Sequence, residues 1–301
     1  MTATRIDVVG IGENSADLVY RLPGLPGAND KMRIVSRQAR PGGQVATTLC
    51  TCAALGLRAA YVGAFGNDAD GASMRATLAG RGVDTTHAPT RSAPNRHALI
   101  LVDERSGDRI VLWHRDAALA VGPADLPAGL IRRARLVHVD AVDEEAALAA
   151  ARLARAAGAE VTTDVDSITP LTRELLAAAT LPIVAADVPR LLTGERDIEP
   201  ALRRLAGPSG RICVTLGERG ALLLEGGRLH HAPAFPVDVI DTTGAGDVFR
   251  GALIAALLRG DDAAAMLRFA NAAAALSCTR EGAIEGIPTP DEIEELLGRR
   301  A

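Results

Sequence analysis

Short apolar runs rich in β-branched residues alternate along this chain with alanine-rich stretches of helical length. Strands that are separated by helices pair in parallel, and the helices then cover both faces of the sheet. The alternation therefore predicts an α/β fold built on a parallel sheet. Strands are expected at residues 7–9, 59–62, 136–139, 160–163, 183–185, 211–215 and 221–225. Helices are expected at residues 45–55, 71–81, 144–157, 171–179, 199–205, 246–258, 263–279 and 290–298.

Two parts of the chain interrupt this alternation. Strand character is found at residues 18–22, 32–37, 96–103 and 109–115, the last two as a hairpin through 104–108. Polar and apolar positions alternate loosely in the second of these segments, which is typical of a half-exposed sheet. We interpret the four segments as a small β-sheet lid that can cover a cleft. The whole chain, 1–301, is then one folding unit with lid segments inserted at about 13–40 and 93–116.

The composition excludes several classes of protein. Lysine occurs once, at Lys31, and Met32 follows it, so the Gly-Lys-Ser/Thr run of a P-loop is absent. A net charge of -4 and an aromatic content of 2% argue against binding of nucleic acid. No apolar run approaches the roughly 18 residues of a membrane span. Residues 1–10 have no basic segment or cleavage site of a secretion signal. We therefore expect a cytoplasmic protein that binds neither nucleic acid nor membrane.

The segment 241–247 reads Asp-Thr-Thr-Gly-Ala-Gly-Asp and precedes apolar residues at helical spacing, so a helix is expected to begin near Gly246. Its two glycines allow backbone N–H groups to converge at the helix N-terminus, where the helix dipole favours anions. Such a group of N–H donors can hold the charge that develops on a transferred phosphoryl group. Asp247, beside it, can accept the proton of an attacking hydroxyl. The alternative is an ordinary turn in which Asp247 only begins the helix.

Two sets of motifs resemble the signatures of a known family. Residues 241–252 resemble the C-terminal signature of the ribokinase-like, phosphofructokinase-B carbohydrate kinases. Residues 41–47, with the sequence Pro-Gly-Gly-Gln-Val-Ala-Thr, resemble its N-terminal signature together with residues 53–56 and 62–71. The resemblance covers essentially the whole chain and implies a three-layer α/β/α sandwich with a small β-sheet lid. It also implies transfer of the γ-phosphoryl group of ATP to a sugar hydroxyl with Mg²⁺ present, by a homodimer that forms through the lid.

The resemblance implies roles for individual residues. Asp247 matches the general base of the family, and its anion hole matches Gly244, Ala245 and Gly246. The residues implied in sugar binding are Asn14, Asp17, Gly42, Gly43 and Thr47. The residues implied in nucleotide binding are Thr215, Gly217, Thr242 and Asn271. A monovalent cation such as K⁺ is implied at Asp241 and Thr243, and contact with Mg²⁺ through water at Asp187.

The chain departs from the family pattern at two places. Thr47 stands where the family usually has Asn, and Thr cannot place a donor and an acceptor as Asn does, so the identity of the sugar is open. The Asn-x-x-Glu motif of the family should fall at residues 185–188, which read Ala-Ala-Asp-Val. Arg115, in the predicted hairpin, either recognises an anionic substituent of the substrate or belongs to a lid edge protected by charge.

Three alternatives remain at this point. A nucleoside kinase of the adenosine type would share the fold and Asp247. A non-catalytic sensor of sugar or nucleotide is compatible with the altered motif at residues 185–188, although the intact segment 244–247 argues against it. An NAD-dependent enzyme would use residues 10–15, which lack the third glycine of the dinucleotide fingerprint. Among sugars, a ketose, a pentose and a sugar acid are all candidates.

Overall fold

The predicted alternation of strands and helices is present in the computed structural model, which describes residues 6–106 and 109–298. The strands are β1 Val8–Ile11, β2 Ser15–Leu22, β3 Ser36–Gly42, β4 Ala59–Val62, β5 Phe65–Gly66, β6 Thr90–Arg91, β7 His97–Asp103, β8 Arg109–His114, β9 Leu136–Asp140, β10 Glu160–Asp164, β11 Ile183–Ala185, β12 Ile212–Thr215, β13 Ala221–Glu225 and β14 Arg228–Ala232. The helices are α1 Gln44–Ala54, α2 Ala69–Gly80, α3 Ala128–Ile131, α4 Glu144–Ala156, α5 Thr172–Ala178, α6 Val188–Thr193, α7 Ile198–Leu205, α8 Ala245–Arg259, α9 Ala263–Ser277 and α10 Pro290–Gly298. In the described part of the chain, none of the helices combines the length and hydrophobicity that a bilayer crossing requires.

The main sheet has the strand order β4-β1-β9-β10-β11-β12-β13-β14. Two isolated parallel bridges, Thr162 to Leu181 and Val165 to Val184, join its two halves between β10 and β11. The first six strands of this order are parallel, which confirms the predicted parallel sheet. The strands β13 and β14 are antiparallel to their neighbours, and β14 was not predicted. The short turns before and after β13 are the reason, because a parallel connection needs a crossover of a dozen or more residues.

The sheet is covered by helices on both faces. Val8 packs in a core that contains residues of α1, α8 and α9, whereas the next residue, Val9, packs with residues of α4 and α5 on the opposite face. Successive side chains of a strand point to opposite faces, so both faces of a strand covered on two sides must be apolar. This arrangement confirms the three-layer α/β/α sandwich.

The lid is a four-stranded sheet with the order β3-β2-β7-β8. Its strands β2 and β7 pair in parallel, and the two outer pairs are antiparallel. The predicted hairpin is present as β7 and β8, and residues 107–108 of its turn lie outside the described residues.

The strand predicted at residues 32–37 is wrong in position. The observed strand β3 begins at Ser36 and continues to Gly42, which lies opposite Ser15 of β2. Residues 32–35 are exposed and precede the strand, joined to β2 only by the Val35 N–H, which donates to the Arg21 carbonyl at 2.9 Å. Pairing along the full length of β2 outweighs the local apolar pattern of residues 32–35. The consequence is that β3 leads directly into the diglycine at Gly42 and Gly43.

Helix α8 packs closely on α1 through a glycine. A Cβ atom at Gly251 would lie 2.5 Å from Cβ of Thr51 and 2.8 Å from the carbonyl oxygen of Thr48. The Thr48 hydroxyl also donates to the backbone carbonyl of Asp247 at 3.2 Å. The N-terminal turn of α8 is therefore held at a fixed position against α1.

We predict that Gly251→Ala lowers the free energy of unfolding by about 1–3 kcal/mol, because the added methyl group overpacks this contact. Gly80→Ala is the matched control, since Gly80 ends α2 and a Cβ atom there would meet nothing within 4 Å. Denaturant unfolding of the two variants measures the difference. Equal stabilities of Gly251→Ala and Gly80→Ala would contradict the close packing of α1 and α8.

Candidate active site

A cavity of about 180 Å³, here called the smaller cavity, lies between the lid and the N-terminus of α8. Separate parts of the sequence meet in its walls, among them the lid strand β2 with Asp17, the diglycine Gly42 and Gly43, and the segment that contains Thr243, Gly244 and Asp247. Helix α8 begins at this cavity, and the lid strand β3 ends there. The fold thus brings six predicted site residues to one cavity.

Asp247 stands in the first turn of α8, beside amides that have no partner within the helix. Gly244, the residue before the helix, has a φ of 75°, which glycine adopts without strain. The Asp247 side chain is 16% exposed. Burial and the nearby charge of Asp164 raise the pKa of Asp247 well above its usual value, and the Arg250 guanidinium opposes this rise. The arrangement places a carboxylate of raised basicity next to a set of N–H donors.

The loop before α8 is held by Asp241. Its two carboxylate oxygens accept hydrogen bonds from the Thr243 and Gly282 N–H groups, each at 2.9 Å. Burial acts to raise the pKa of Asp241, but these backbone donors lower it below its usual value, so the carboxylate is ionised at neutral pH. Thr242 is exposed and accepts a hydrogen bond from Arg109 of the lid at 3.4 Å.

The loop of residues 281–285 ties the lid to this segment. Arg40 of β3 contacts Glu281 at 2.5 Å and Glu285 at 3.5 Å, and Arg21 of β2 contacts Glu281 at 3.4 Å. The neighbouring residue Gly282 is the one that donates to Asp241. Ion pairs from two lid strands and a hydrogen bond to the loop before α8 therefore meet in one short segment.

The lid side of the smaller cavity carries an ionic network. Asp17, which is 9% exposed, accepts a hydrogen bond from the Ser15 hydroxyl and lies 3.6 Å from Nη1 of Arg96. Burial raises the pKa of Asp17, while Ser15 and Arg96 oppose the rise. The Arg96 Nε atom also lies 3.0 Å from Glu13. Arg96 therefore holds two carboxylates at the cavity wall.

Glu13 and Arg96 were not predicted as site residues. Glu13 follows β1 at the carboxyl end of a parallel strand, the position where ligands bind in open α/β sheets, and this placement was the available signal. Its N–H donates to Asp140 at 2.8 Å, so the buried Asp140 carboxylate positions the backbone of Glu13. Arg96 gave no signal, because its role depends on carboxylates distant in sequence.

The diglycine allows the backbone to pass close to Asp17 and Asn14. A Cβ atom at Gly42 would lie 2.7 Å from a carboxylate oxygen of Asp17. Gly43 has a φ of 99°, and a Cβ atom there would lie 2.5 Å from Cα of Asn14. Side chains at these positions would displace the cavity wall, so both residues must be glycine for the site to keep its shape.

Asn14 and Thr47, which are implied in sugar binding, do not line the smaller cavity. Asn14 is buried, and its amide donates to the Tyr61 hydroxyl and to the Ala64 carbonyl, both at 2.9 Å. Its side-chain oxygen accepts from Asn95 at 3.0 Å, so these contacts hold the corner between β1 and β2. Thr47 is fully buried on α1, and its hydroxyl has no hydrogen-bond partner. A direct contact of Asn14 or Thr47 with sugar stays a prediction from the resemblance.

The residues implied in nucleotide and Mg²⁺ contact do not line the smaller cavity. Thr215 ends β12, and Gly217 begins the following turn with a φ of 59°. Asn271 is buried on α9 and donates to the carbonyls of Ala232 and Pro233 at 2.8 and 3.2 Å, which ties β14 to this helix. Asp187 is exposed immediately before α6. Among the residues that the structure describes, no three Asp, Glu, His or Cys side chains cluster as a metal site.

A second cavity, here called the larger cavity, has a volume of about 800 Å³ and shares Glu13, Gln44 and Arg96 with the smaller one. Its wall includes Trp113 of the lid, which is 65% exposed. Arg115 also lines it, but its guanidinium is bound to Asp143 at 2.6 Å. This ion pair neutralises the Arg115 charge that an anionic substituent of the substrate would need. The two cavities are therefore neighbours with a shared wall.

The sandwich, the lid and the glycine-rich helix N-terminus define a ribokinase-like α/β protein. The family model described as pfkB family carbohydrate kinase matches residues 5–290, so the chain belongs to this family. It is accordingly an enzyme, a phosphotransferase with an alcohol group as acceptor. This membership confirms the resemblance found in the sequence.

Named relatives agree with this assignment. The chain is 31% identical to the ATP-dependent ribose-1-phosphate kinase of Halopiger xanaduensis over 98% of its own length and 99% of that protein. It is 32% identical to the ribokinase of Bacillus subtilis over 95% of its length and 98% of that protein. The structure of Arabidopsis thaliana ribokinase complexed with ribose and ATP has a TM-score of 0.85 and 25% identity, covering 98% of this chain and 99% of that one.

We predict that Gly42→Ala raises the KM for the acceptor about 10- to 100-fold, because the methyl group displaces the Asp17 carboxylate from the cavity wall. The KM for ATP should not change. Gly27→Ala in the exposed lid loop is the matched control, since the nearest atom to its Cβ would be a carboxylate oxygen of Asp30 at 3.4 Å. Steady-state kinetics measure both variants. An unchanged acceptor KM in Gly42→Ala would contradict the placement of the acceptor against Asp17.

Proposed function

We propose that this protein transfers the γ-phosphoryl group of ATP to a hydroxyl of a carbohydrate that is a ketose, a pentose or a sugar acid. The observation that carries the proposal is the smaller cavity, where Asp247 and Gly244 face the lid residue Asp17 and the diglycine. A sugar held by Asp17 would present a hydroxyl to the Asp247 carboxylate. The same cavity reaches the N-terminus of α8 at Gly244 and Asp247, and helix N-terminal amides suit the transferred phosphoryl group.

The chemistry follows from these positions. Asp247 accepts the proton of the sugar hydroxyl, and the hydroxyl oxygen forms a bond to the γ-phosphorus of ATP. The bond from that phosphorus to the β–γ bridging oxygen breaks, and ADP leaves with the electron pair. The raised pKa of Asp247 favours this role, since a base is most effective when its pKa approaches the operating pH. The backbone N–H groups of residues 244–246 stabilise the charge that develops on the phosphoryl oxygens.

ATP would be held at the carboxyl ends of β12 and β14, with Thr215, Gly217, Thr242 and Asn271 as the proposed contacts. Mg²⁺ usually keeps several waters and binds through substrate phosphates with one or two carboxylates, which fits a chain whose described acids form no dedicated metal cluster. When bound, the ion would neutralise charge on the β- and γ-phosphates. Asp187 is the proposed acid that contacts it through water. We assign a K⁺ site to Asp241 and Thr243, where carboxylate oxygens retain free lone pairs.

A nucleoside acceptor is the second candidate, and the larger cavity favours it. This cavity borders the smaller one, with which it shares Glu13 and Gln44, and has several times its volume. Trp113 offers an exposed aromatic face for stacking of a planar base. The ribose would then occupy the smaller cavity, with the base under the lid.

The lid also supports a proposed homodimer. Its outward face carries apolar side chains that the strand register brings together, with Leu99 opposite Leu112 and Leu101 opposite Ile110. Leu112 is 53% exposed and Ile110 37% exposed. A second copy of the lid sheet would cover this face. A cytoplasmic location, where ATP is available, is part of the same proposal.

Asp247→Asn is expected to lower kcat by about 10²–10⁴-fold, because the amide cannot accept the hydroxyl proton. Binding of ATP and of the acceptor should persist, since the amide keeps the size of the carboxylate. Turnover is measured as ADP formation, and binding by calorimetry. A variant with a nearly normal kcat would show that Asp247 is not the base.

Wild-type enzyme and Asp247→Asn are compared on a panel of ketoses, pentoses, sugar acids, sugar phosphates and nucleosides, with Mg²⁺ and with or without K⁺. Turnover with a monosaccharide that Asp247→Asn removes supports the first candidate, and turnover confined to nucleosides supports the second. ATP binding with no turnover on any acceptor would favour a sensor. A rate independent of K⁺ would remove the assignment to Asp241 and Thr243.

We predict that the wild-type protein sediments as a dimer and that Leu112→Glu sediments as a monomer, because a charge in the apolar lid face opposes its burial. Leu191→Glu is the matched control, since Leu191 is 57% exposed on α6, outside the lid. Analytical ultracentrifugation measures all three proteins. A monomeric wild-type protein would contradict the proposed dimer.

A further inference from the structure

An arginine is buried directly beneath the proposed base. Arg250 lies on α8 one turn after Asp247, and its side chain is 5% exposed. Its Nη2 atom lies 2.5 Å from Oδ1 of Asp164, a side chain of β10 that is fully buried. Its Nη1 atom lies 3.6 Å from Oδ1 of Asp247. One guanidinium group thus connects a core strand with the carboxylate that faces the cavity.

The same guanidinium lies behind the proposed anion hole. A Cβ atom at Gly246 would lie only 2.7 Å from Nη1 of Arg250. Gly246 therefore has a second reason to be glycine, since any side chain would push the cation away. The positive charge stands on the inner side of the helix N-terminus, where it adds to the field of the backbone N–H groups.

We propose that Arg250, held in place by Asp164, is a positioning residue that keeps the Asp247 carboxylate charged and aimed at the acceptor, and that strengthens the anion hole from behind. This inference rests on the proposed function of Asp247 as general base. It adds a cation that contacts neither sugar nor ATP and acts through Asp247 and Gly246.

Arg250 is the cation in contact with Asp247 among the described residues, while Arg96 and Arg109 line the cavity that Asp247 faces. Asp164 ends β10 and Asp166 follows it, and both carry negative charge toward Asp247. His138 of β9 is fully buried, and its burial and the Arg250 charge lower its pKa to about 3, so it is neutral. Burial raises the pKa of Cys213 of β12 to about 12, so this thiol is neutral as well.

Two observations distinguish this arrangement from a purely structural ion pair. Burial of an arginine is costly, and an apolar pair of the same volume often stabilises a protein as well or better. In addition, Arg250 is buried, and its Nε atom has no hydrogen-bond partner. Buried polar atoms left unpaired in a native protein call for an explanation such as a catalytic role. The same guanidinium contacts Asp247 through Nη1, and this is the functional contact that the proposal assigns to it.

The test measures kcat as a function of pH for Arg250→Met, Arg250→Lys and Asp164→Asn, with the acceptor found by the panel. The chemical step must limit kcat in this measurement. A kcat that does not change with the viscosity of the solvent verifies this condition. Because Asp247 is active when deprotonated, the acid limb of the profile reports its apparent pKa. Loss of the Arg250 cation should lower kcat about 10²–10³-fold and move this limb to higher pH. Loss of the Asp164 charge should move the limb to lower pH.

Arg250→Lys keeps the charge and should restore part of kcat and most of the limb position. The KM values for ATP and acceptor should change little in the three variants. Arg259→Met is the matched control, since Arg259 is an exposed arginine on the same helix, and it should match the wild-type profile. Thermal unfolding shows which variants are folded.

Limbs that stay at the wild-type position in Arg250→Met and Asp164→Asn would overturn the proposal and leave a structural ion pair. If Arg250→Met does not fold, Asp164→Asn decides it by the same criterion, because Arg250→Lys keeps the charge and is expected to leave the limb near its wild-type position. A failure of the underlying function is distinguishable, because Asp247→Asn would then retain turnover. An inactive Asp247→Asn together with unmoved limbs would reject only the role of Arg250.

Discussion

The contact between α8 and α1 decides where the chemistry of this protein is placed. Gly251 brings the two helix backbones together, and the Thr48 hydroxyl holds the carbonyl of Asp247. Because α1 starts directly after the diglycine, the same contact sets the distance between Gly43 and the first turn of α8. A helix that shifted along its neighbour would carry its N-terminal amides away from the cavity. Tight packing in the core is thus the condition for a defined site at the surface.

Charge is distributed unevenly around the site. Carboxylates of Glu13, Asp17 and Asp247 line the smaller cavity, and each has an arginine beside it. Arg96 serves the two acids on the lid side, and Arg250 serves Asp247. Burial in a medium of low polarity makes such pairs sensitive to geometry, since an ion pair repays desolvation only when its partners are well placed. The rigid sheet beneath them supplies that placement.

Much of the fold was predictable because its core strands are apolar on both faces, and local sequence reports this directly. The strand at 36–42 was misplaced because its position depends on pairing with β2, which no local pattern records. The glycine-rich motif identified Asp247 and Gly244, since backbone chemistry requires those residue types at that spacing. Glu13 and Arg250 escaped notice because a charged residue acquires its role from partners that only the fold brings near.

The walls of the two cavities have separate origins in the fold. Asp247 and the glycine-rich turn belong to a helix packed into the core, whereas Trp113 and Val111 belong to β8, an edge strand of the lid. An edge strand accepts new side chains without repacking of the sandwich. Under the proposed function, a relative of this protein can therefore exchange one acceptor for another by substitutions in the lid alone. The reaction and its specificity are free to evolve at different rates.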